Sequence, residues 1–152
     1  MIESYILKAN IKADIENYYM MLNYLEEHNR LKVPKRHIGS LLHEYVLGLL
    51  FEQARLSSFF PLPEYMPYED SKHRIDMIWL DKYGKILAGF EVDRTVYPKS
   101  VKKLLSLPVH STKVIVSIGL GKRPLDKQMA LCEGIEVWDF TQCSLHMNTN
   151  TR

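Results

Sequence analysis

Cysteine is scarce: Cys132 and Cys143 are the only two among 152 residues. They have no metal-ligand spacing and build no disulfide framework, which points to a reducing, intracellular setting. No apolar run approaches the roughly 18 residues that span a bilayer, and residues 1–10 lack a signal-peptide pattern. Neither sign of charge predominates, because 20 Lys and Arg against 18 Asp and Glu leave a formal net charge of +2. That balance permits a nucleic-acid partner without requiring one. His37, His43, His73 and His110 form no HxxxH or HxH pair, so a zinc site of ordinary spacing is excluded. Gly119-Leu120-Gly121-Lys122 lacks the full spacing of a phosphate loop. Internal repeats are absent, and the only biased segment is the polar tail 146–152, which reads as frayed.

What is present suits one soluble domain: 46% of residues are apolar and 25% charged. Residues 11–30 predict an amphipathic helix, with Ile11, Ile15, Tyr18, Tyr19, Leu22 and Leu25 at helical spacing. Tyr18, Tyr19, Met20 and Met21 read as core or dimer-contact positions. Residues 31–36, with Pro34 and several positive charges, read as a loop. The strongest helix spans 37–57, where Ile38, Leu41, Leu42, Tyr45, Val46, Leu49, Leu50 and Leu56 form a broad stripe. Gly48 within it would let the helix approach a sheet closely. Pro61, Pro63 and Pro67 end the helix and make 59–68 an irregular or edge segment.

Residues 73–80 (HRIDMIWL) alternate apolar and polar, 81–84 (DKYG) carry turn chemistry, and 85–93 (KILAGFEVD) run back. A short helix over 99–107 follows, with Pro98 near its start and Pro108 past its end. Residues 113–118 (KVIVSI) form a near-continuous β-branched run, as in a strand buried on both faces. A turn at 119–123, a helix over 124–132 and a strand over 134–140 complete the order. The fold class is therefore α/β, a mixed β-sheet with flanking helices. Residues 1–36 form a helical extension, 37–145 the core and 146–152 a disordered tail.

With Tyr83-Gly84 as the two turn residues, Lys82 faces Lys85 and the same register sets Asp76 opposite Glu91. Side chains so paired have β-carbons about 4.5–5.5 Å apart. Like charges at that distance repel, and a hard divalent cation such as Mg²⁺, with Mn²⁺ as substitute, is what clustered carboxylate oxygens suit. The plain alternative is two solvated carboxylates on the wet side of the sheet.

An acid-bearing helix, then Ile75-Asp76 on one hairpin strand, Phe90-Glu91-Val92-Asp93 on the next, then a helix and an apolar strand, resemble the PD-(D/E)XK nuclease superfamily. The resemblance runs from about residue 36 to 140 and implies a restriction-endonuclease-like core. One departure stands out: the family's lysine two residues after the glutamate is here Asp93. Residues 91–95 (EVDRT) also resemble an EIDRGT-like stretch of nuclease-fold proteins associated with plasmid replication.

The resemblance implies a hydrolase, a Mg²⁺-dependent nuclease of a mobile element, virus or plasmid, acting on nucleic acid and on DNA in particular. Asp76 and Glu91 would hold the ion, with Asp93 and the backbone carbonyl of Val92 as further ligands. Glu44 would approach from the preceding helix, with Glu52 in reserve. Lys99, Lys102 or Lys103 on the next helix, or Arg94, would replace the missing lysine. Arg94, Lys99 and Lys103 would contact the nucleic acid, and the N-terminal helix would bind DNA or make a homodimer. Two rivals stay open: a nuclease-fold module that binds DNA or protein without cutting, and a small assembly protein whose carboxylates bind nothing.

Overall fold

A computed structural model describes residues 4–30, 37–67, 73–118 and 127–140. The chain runs α1 (Ser4–Glu27), α2 (Ile38–Leu56), β1 (Phe60–Tyr65), β2 (Ile75–Leu80), β3 (Ile86–Asp93), α3 (Pro98–Leu105), β4 (Thr112–Ser117), α4 (Lys127–Cys132) and β5 (Glu136–Asp139). One five-stranded sheet has the order β1-β2-β3-β4-β5. The pairs β1–β2 and β2–β3 are antiparallel, whereas β3–β4 and β4–β5 are parallel. The fold is α/β with a mixed sheet, in the element order that the sequence predicts. No helix among the described residues is long and apolar enough to cross a membrane. The loop at 31–36, the turn at 119–123 and the tail at 146–152 lie outside the described residues, as does the start expected for α4.

Side-chain periodicity divides the apolar residues between two faces. Ile38, Leu42, Val46, Leu50 and Ala54 lie four apart along α2 and are buried. They join Leu7, Ile11, Ile15, Tyr19 and Leu22 of α1 and Met77, Trp79, Phe90, Val92, Val114 and Val116 of the sheet in one core. A second core on the other face holds Val101, Leu104 and Leu107 with Ile78, Ile115 and Ile135. The β4 run is thus buried on both sides, Val114 and Val116 toward α1 and α2, Ile115 toward α3 and α4. Burying each such side chain contributes roughly 1.5–3 kcal/mol.

Several local expectations change. α1 begins at Ser4 rather than at residue 11, because its apolar line starts one turn earlier at Leu7. That line packs into the same core as α2 and the sheet, while Met20 and Met21 are exposed. Gly48 brokers no close approach, since a Cβ there would meet nothing within 4 Å. The close approach occurs at Gly89 instead, where a Cβ would collide with the Leu107 side chain. Pro61 and Pro63 stand at alternate positions of edge strand β1 and remove two backbone donors that an interior strand would need.

The hairpin reaches the expected register by a different route. Asp81 and Lys85 close the turn (Asp81 N–H to Lys85 O, 2.9 Å), and the Asp81 carboxylate accepts from the N–H groups of Tyr83 and Lys85 at 2.8 and 2.9 Å. Leu80 then pairs with Ile86, one residue out of step. A bulge at Leu87 absorbs the difference, so that Trp79 faces Ala88 and Met77 faces Phe90 as the longer-range pattern requires. Burial of the correct face decides the register, and the turn adapts to it.

Gly84 has φ 82° with open space around it, so the cost of a side chain there is purely backbone strain. Gly84→Ala is expected to destabilise the protein by about 1 kcal/mol. Gly48→Ala, exposed in mid-helix, is expected to stabilise it by about 0.5–1 kcal/mol. Urea denaturation of both variants measures these opposite signs.

Candidate functional site

A cleft of about 410 Å³ opens where the C-terminal ends of β3 and β4 meet the N-terminal part of α2. Such strand ends are where open α/β sheets place ligands. Its lining includes His43, Glu44, Asp76, Glu91, Val92, Asp93, Arg94 and Lys103. Alternation along β3 sends Phe90 and Val92 into the α1–α2 core and so turns Glu91 and Asp93 toward α3.

Asp76 sits where β2 changes face. Glu64 has φ 57°, and beyond it Tyr65 and its partner Ile75 pack on the α3 side, whereas Met77 packs with α2. Asp76 can therefore reach helices on both sides of the sheet. The β2–β3 ladder stops at Met77 and Phe90. Past that point the Val92 N–H donates to Asp76 Oδ2 at 2.8 Å, and His43 Nε2 lies 3.4 Å from the same oxygen. Oδ1 takes no hydrogen bond among the described residues. Burial pushes the Asp76 carboxyl up, but the hydrogen bonds from His43 and Val92 N–H and the nearby positive charges outweigh it and hold it below its ordinary value. The bond to Asp76 raises His43 in turn, against the lowering effect of burial.

Glu91 is the opposite case. It is 1% exposed, and burial together with the Asp76 charge pushes its carboxyl up to about 8. Lys103 opposes this with its ammonium 3.2 Å from Oε1 and 3.4 Å from Oε2. Only the Oε2 contact has hydrogen-bond geometry, so Oε1 is buried without a donor among the described residues. Asp93 is raised by burial even though the Ser100 hydroxyl donates to its Oδ2. Two neighbouring carboxyls are thus driven apart, Asp76 below its ordinary value and Glu91 above it.

The residues expected from the sequence divide clearly. Asp76, Glu91, Val92, Asp93, Arg94 and Lys103 line one cleft. Val92 offers Asp76 its N–H. Glu44 lies at the rim with its side chain 79% exposed, 3.6 Å from His43 Nδ1, and it is His43 that reaches Asp76. Glu52, Lys99 and Lys102 are exposed and line no part of the cleft. His43 and Ser100 were not among the expected site residues. His43 lies one residue before Glu44 in the sequence, on the side of α2 that faces the sheet end, a direction that the apolar stripe alone left ambiguous. Ser100 has a weaker signal, a small polar residue between the buried neighbours Thr95 and Val101.

Among the described residues, no group of three or more His, Cys, Asp or Glu side chains is arranged as a ready metal cage. Mg²⁺ does not need one, since it keeps several waters and takes one or two carboxylates plus substrate phosphate. The donor set fits that chemistry: among the described residues Asp76 Oδ1 takes no hydrogen bond, the buried Glu91 Oε1 meets only the Lys103 ammonium, and the two acids repel each other. Comparison with family models, curated proteins and solved structures finds no match to this chain.

The raised Glu91 value fixes the sign of a pH effect. Its carboxyl ionises near 4.5 when unfolded and near 8 when folded, so its stabilising contribution is complete below 4.5 and is lost as pH rises through 8. His43, also raised, acts in the same direction above its ordinary value of 6.5. In metal-free buffer the unfolding free energy is expected to fall on the order of 1 kcal/mol per pH unit between about pH 5 and 8, and the melting temperature with it. Glu91→Gln should remove most of that slope, as scanning calorimetry at several pH values will register.

Proposed function

We propose that this protein is a Mg²⁺-dependent nuclease that hydrolyses phosphodiester bonds of DNA, built on a restriction-endonuclease-like core of the PD-(D/E)XK kind. The observation that carries the reading is the meeting of Asp76 with a nearly inaccessible Glu91 at one cleft, where Asp76 Oδ1 takes no hydrogen bond among the described residues and Glu91 Oε1 meets the Lys103 ammonium alone. A sheet exposing ordinary solvated carboxylates would not leave one of them 1% exposed.

When bound, the ion supplies polarisation of a phosphoryl oxygen and a lowered pKa for an attacking water. Asp76 and Glu91 would hold it. His43 and the Val92 N–H keep Asp76 oriented by occupying Oδ2. Lys103 takes the part of the lysine that Asp93 displaces. Its ammonium, already against Glu91, would orient the water and offset the charge that builds on the phosphate. Arg94, exposed at the mouth of the cleft, would contact phosphates on either side of the one cut.

Isothermal titration calorimetry with Mn²⁺ tests the site before any substrate is chosen. Asp76→Ala and Glu91→Ala are each expected to abolish Mn²⁺ uptake and cleavage while leaving the circular dichroism spectrum intact. Lys103→Met should lower cleavage by about 10²–10³-fold, whereas Lys99→Ala and Lys102→Ala should stay within about threefold of the wild type, because neither reaches the cleft. The placement of Asp93 against Ser100, where the family has lysine, favours a second reading as a DNA-binding module without catalysis. Wild-type protein that takes up Mn²⁺ and DNA at low salt but never cuts would establish that alternative.

A further inference from the structure

α3 is a short helix of eight residues, and its start lacks the usual local anchor. Its N-cap is Tyr97, which makes no side-chain capping hydrogen bond, and Pro98 fills the first turn. Val101 and Leu104 bury its inner face, but apolar contact is non-directional and does not fix how far the helix slides or turns. A directional contact is supplied from outside the helix. Ser100, 4% exposed, donates its hydroxyl to Oδ2 of Asp93 at the end of β3. A carboxylate at this place also meets the positive end of the helix dipole.

The same two elements touch at a second point, where Lys103 meets Glu91 at 3.2 Å. Ser100 and Lys103 are three apart on one helix, hence on one face and about 4.5 Å apart along its axis. Asp93 and Glu91 are two apart on one strand, hence on one face and about 6.6 Å apart. The lysine stem spans the difference. Two strand acids therefore meet two helix partners in matching order, one by hydrogen bond and one by ion pair.

We infer that Ser100 is a positioning residue: clasped by Asp93, it sets α3 on the end of β3 so that Lys103 is delivered to Glu91. The acid that stands in the lysine position of the strand is then the anchor for the helix that carries the lysine. The service of this clasp to catalysis rests on the nuclease reading; the clasp itself does not.

A double-mutant cycle and one spectroscopic signature test it on the full chain. Ser100→Ala and Lys103→Met should each lower the melting temperature, and the second change made in the background of the first should cost less than half of what it costs alone. Strict additivity overturns the proposal, because a serine that merely stabilised α3 would be indifferent to the lysine. Heteronuclear NMR of the lysine side chains should show a Lys103 ammonium signal protected from exchange in the wild type. That signal should vanish in Ser100→Ala and Asp93→Ala and survive in Asp93→Asn, which keeps an acceptor. A wild-type spectrum without the signal, or one unchanged by Ser100→Ala, overturns it too. Mn²⁺ titration of the wild type separates the two ideas. Uptake with an additive cycle removes the clasp alone, and a coupled cycle without uptake removes the nuclease reading alone.

Discussion

Two acids held at one end of a sheet, one of them buried, repel each other unless something positive joins them. That repulsion between Asp76 and Glu91 organises the surrounding structure. Asp76 takes the ionised role because His43 and the Val92 N–H stabilise its charge. Glu91, more deeply buried and facing that charge, is pushed up to about 8. Lys103 offsets part of that repulsion, with its ammonium against both glutamate oxygens. The arrangement resembles other acid pairs whose environments drive their pKa values apart, a condition common at functional sites and also found in structural ion-pair networks.

The fold supplies the means of placing those groups together. Parallel strands β3 and β4 end at the same level, and the crossover helix between them must return over the sheet. That return carries Ser100 and Lys103 back over the strand from which Asp93 and Glu91 project. α2 closes the other side because its buried line packs on the opposite face and leaves its N-terminal part, with His43, at the sheet end. The left-handed backbone at Glu64 and the change of face at Asp76 bring the two sides into one cleft.

The hairpin shows how local and global signals divide the work. Asp81, Tyr83 and Gly84 mark a turn but do not fix its length, and the two-residue turn expected from them is replaced by a longer one with a bulge at Leu87. The register of Met77 and Phe90 survives because slipping by one residue would send Trp79 and Phe90 to the wrong face. Asp76 and Glu91 lie just past the last pair of that ladder, and it is their shared cleft that the register made legible. Glu44 against His43 was not, since neighbouring residues on a helix differ by about 100° in direction and sequence alone does not say which of them meets a strand from the other side. Lys99, Lys102 and Lys103 posed the same question, and the rotation of α3 answers it in favour of Lys103.

The amino-acid sequence alone dictated the element order, the mixed sheet, the buried strand β4, the edge character of β1 and the acids at 76, 91 and 93, because each follows from periodicity or from the backbone limits of proline and glycine. Only tertiary structure decided that His43 holds Asp76, that Ser100 and Lys103 pair with Asp93 and Glu91, and which carboxyl is pushed up and which down. Those outcomes depend on helix rotation, burial and distances between segments far apart in sequence, and electrostatic energy around a buried carboxyl changes steeply with all three.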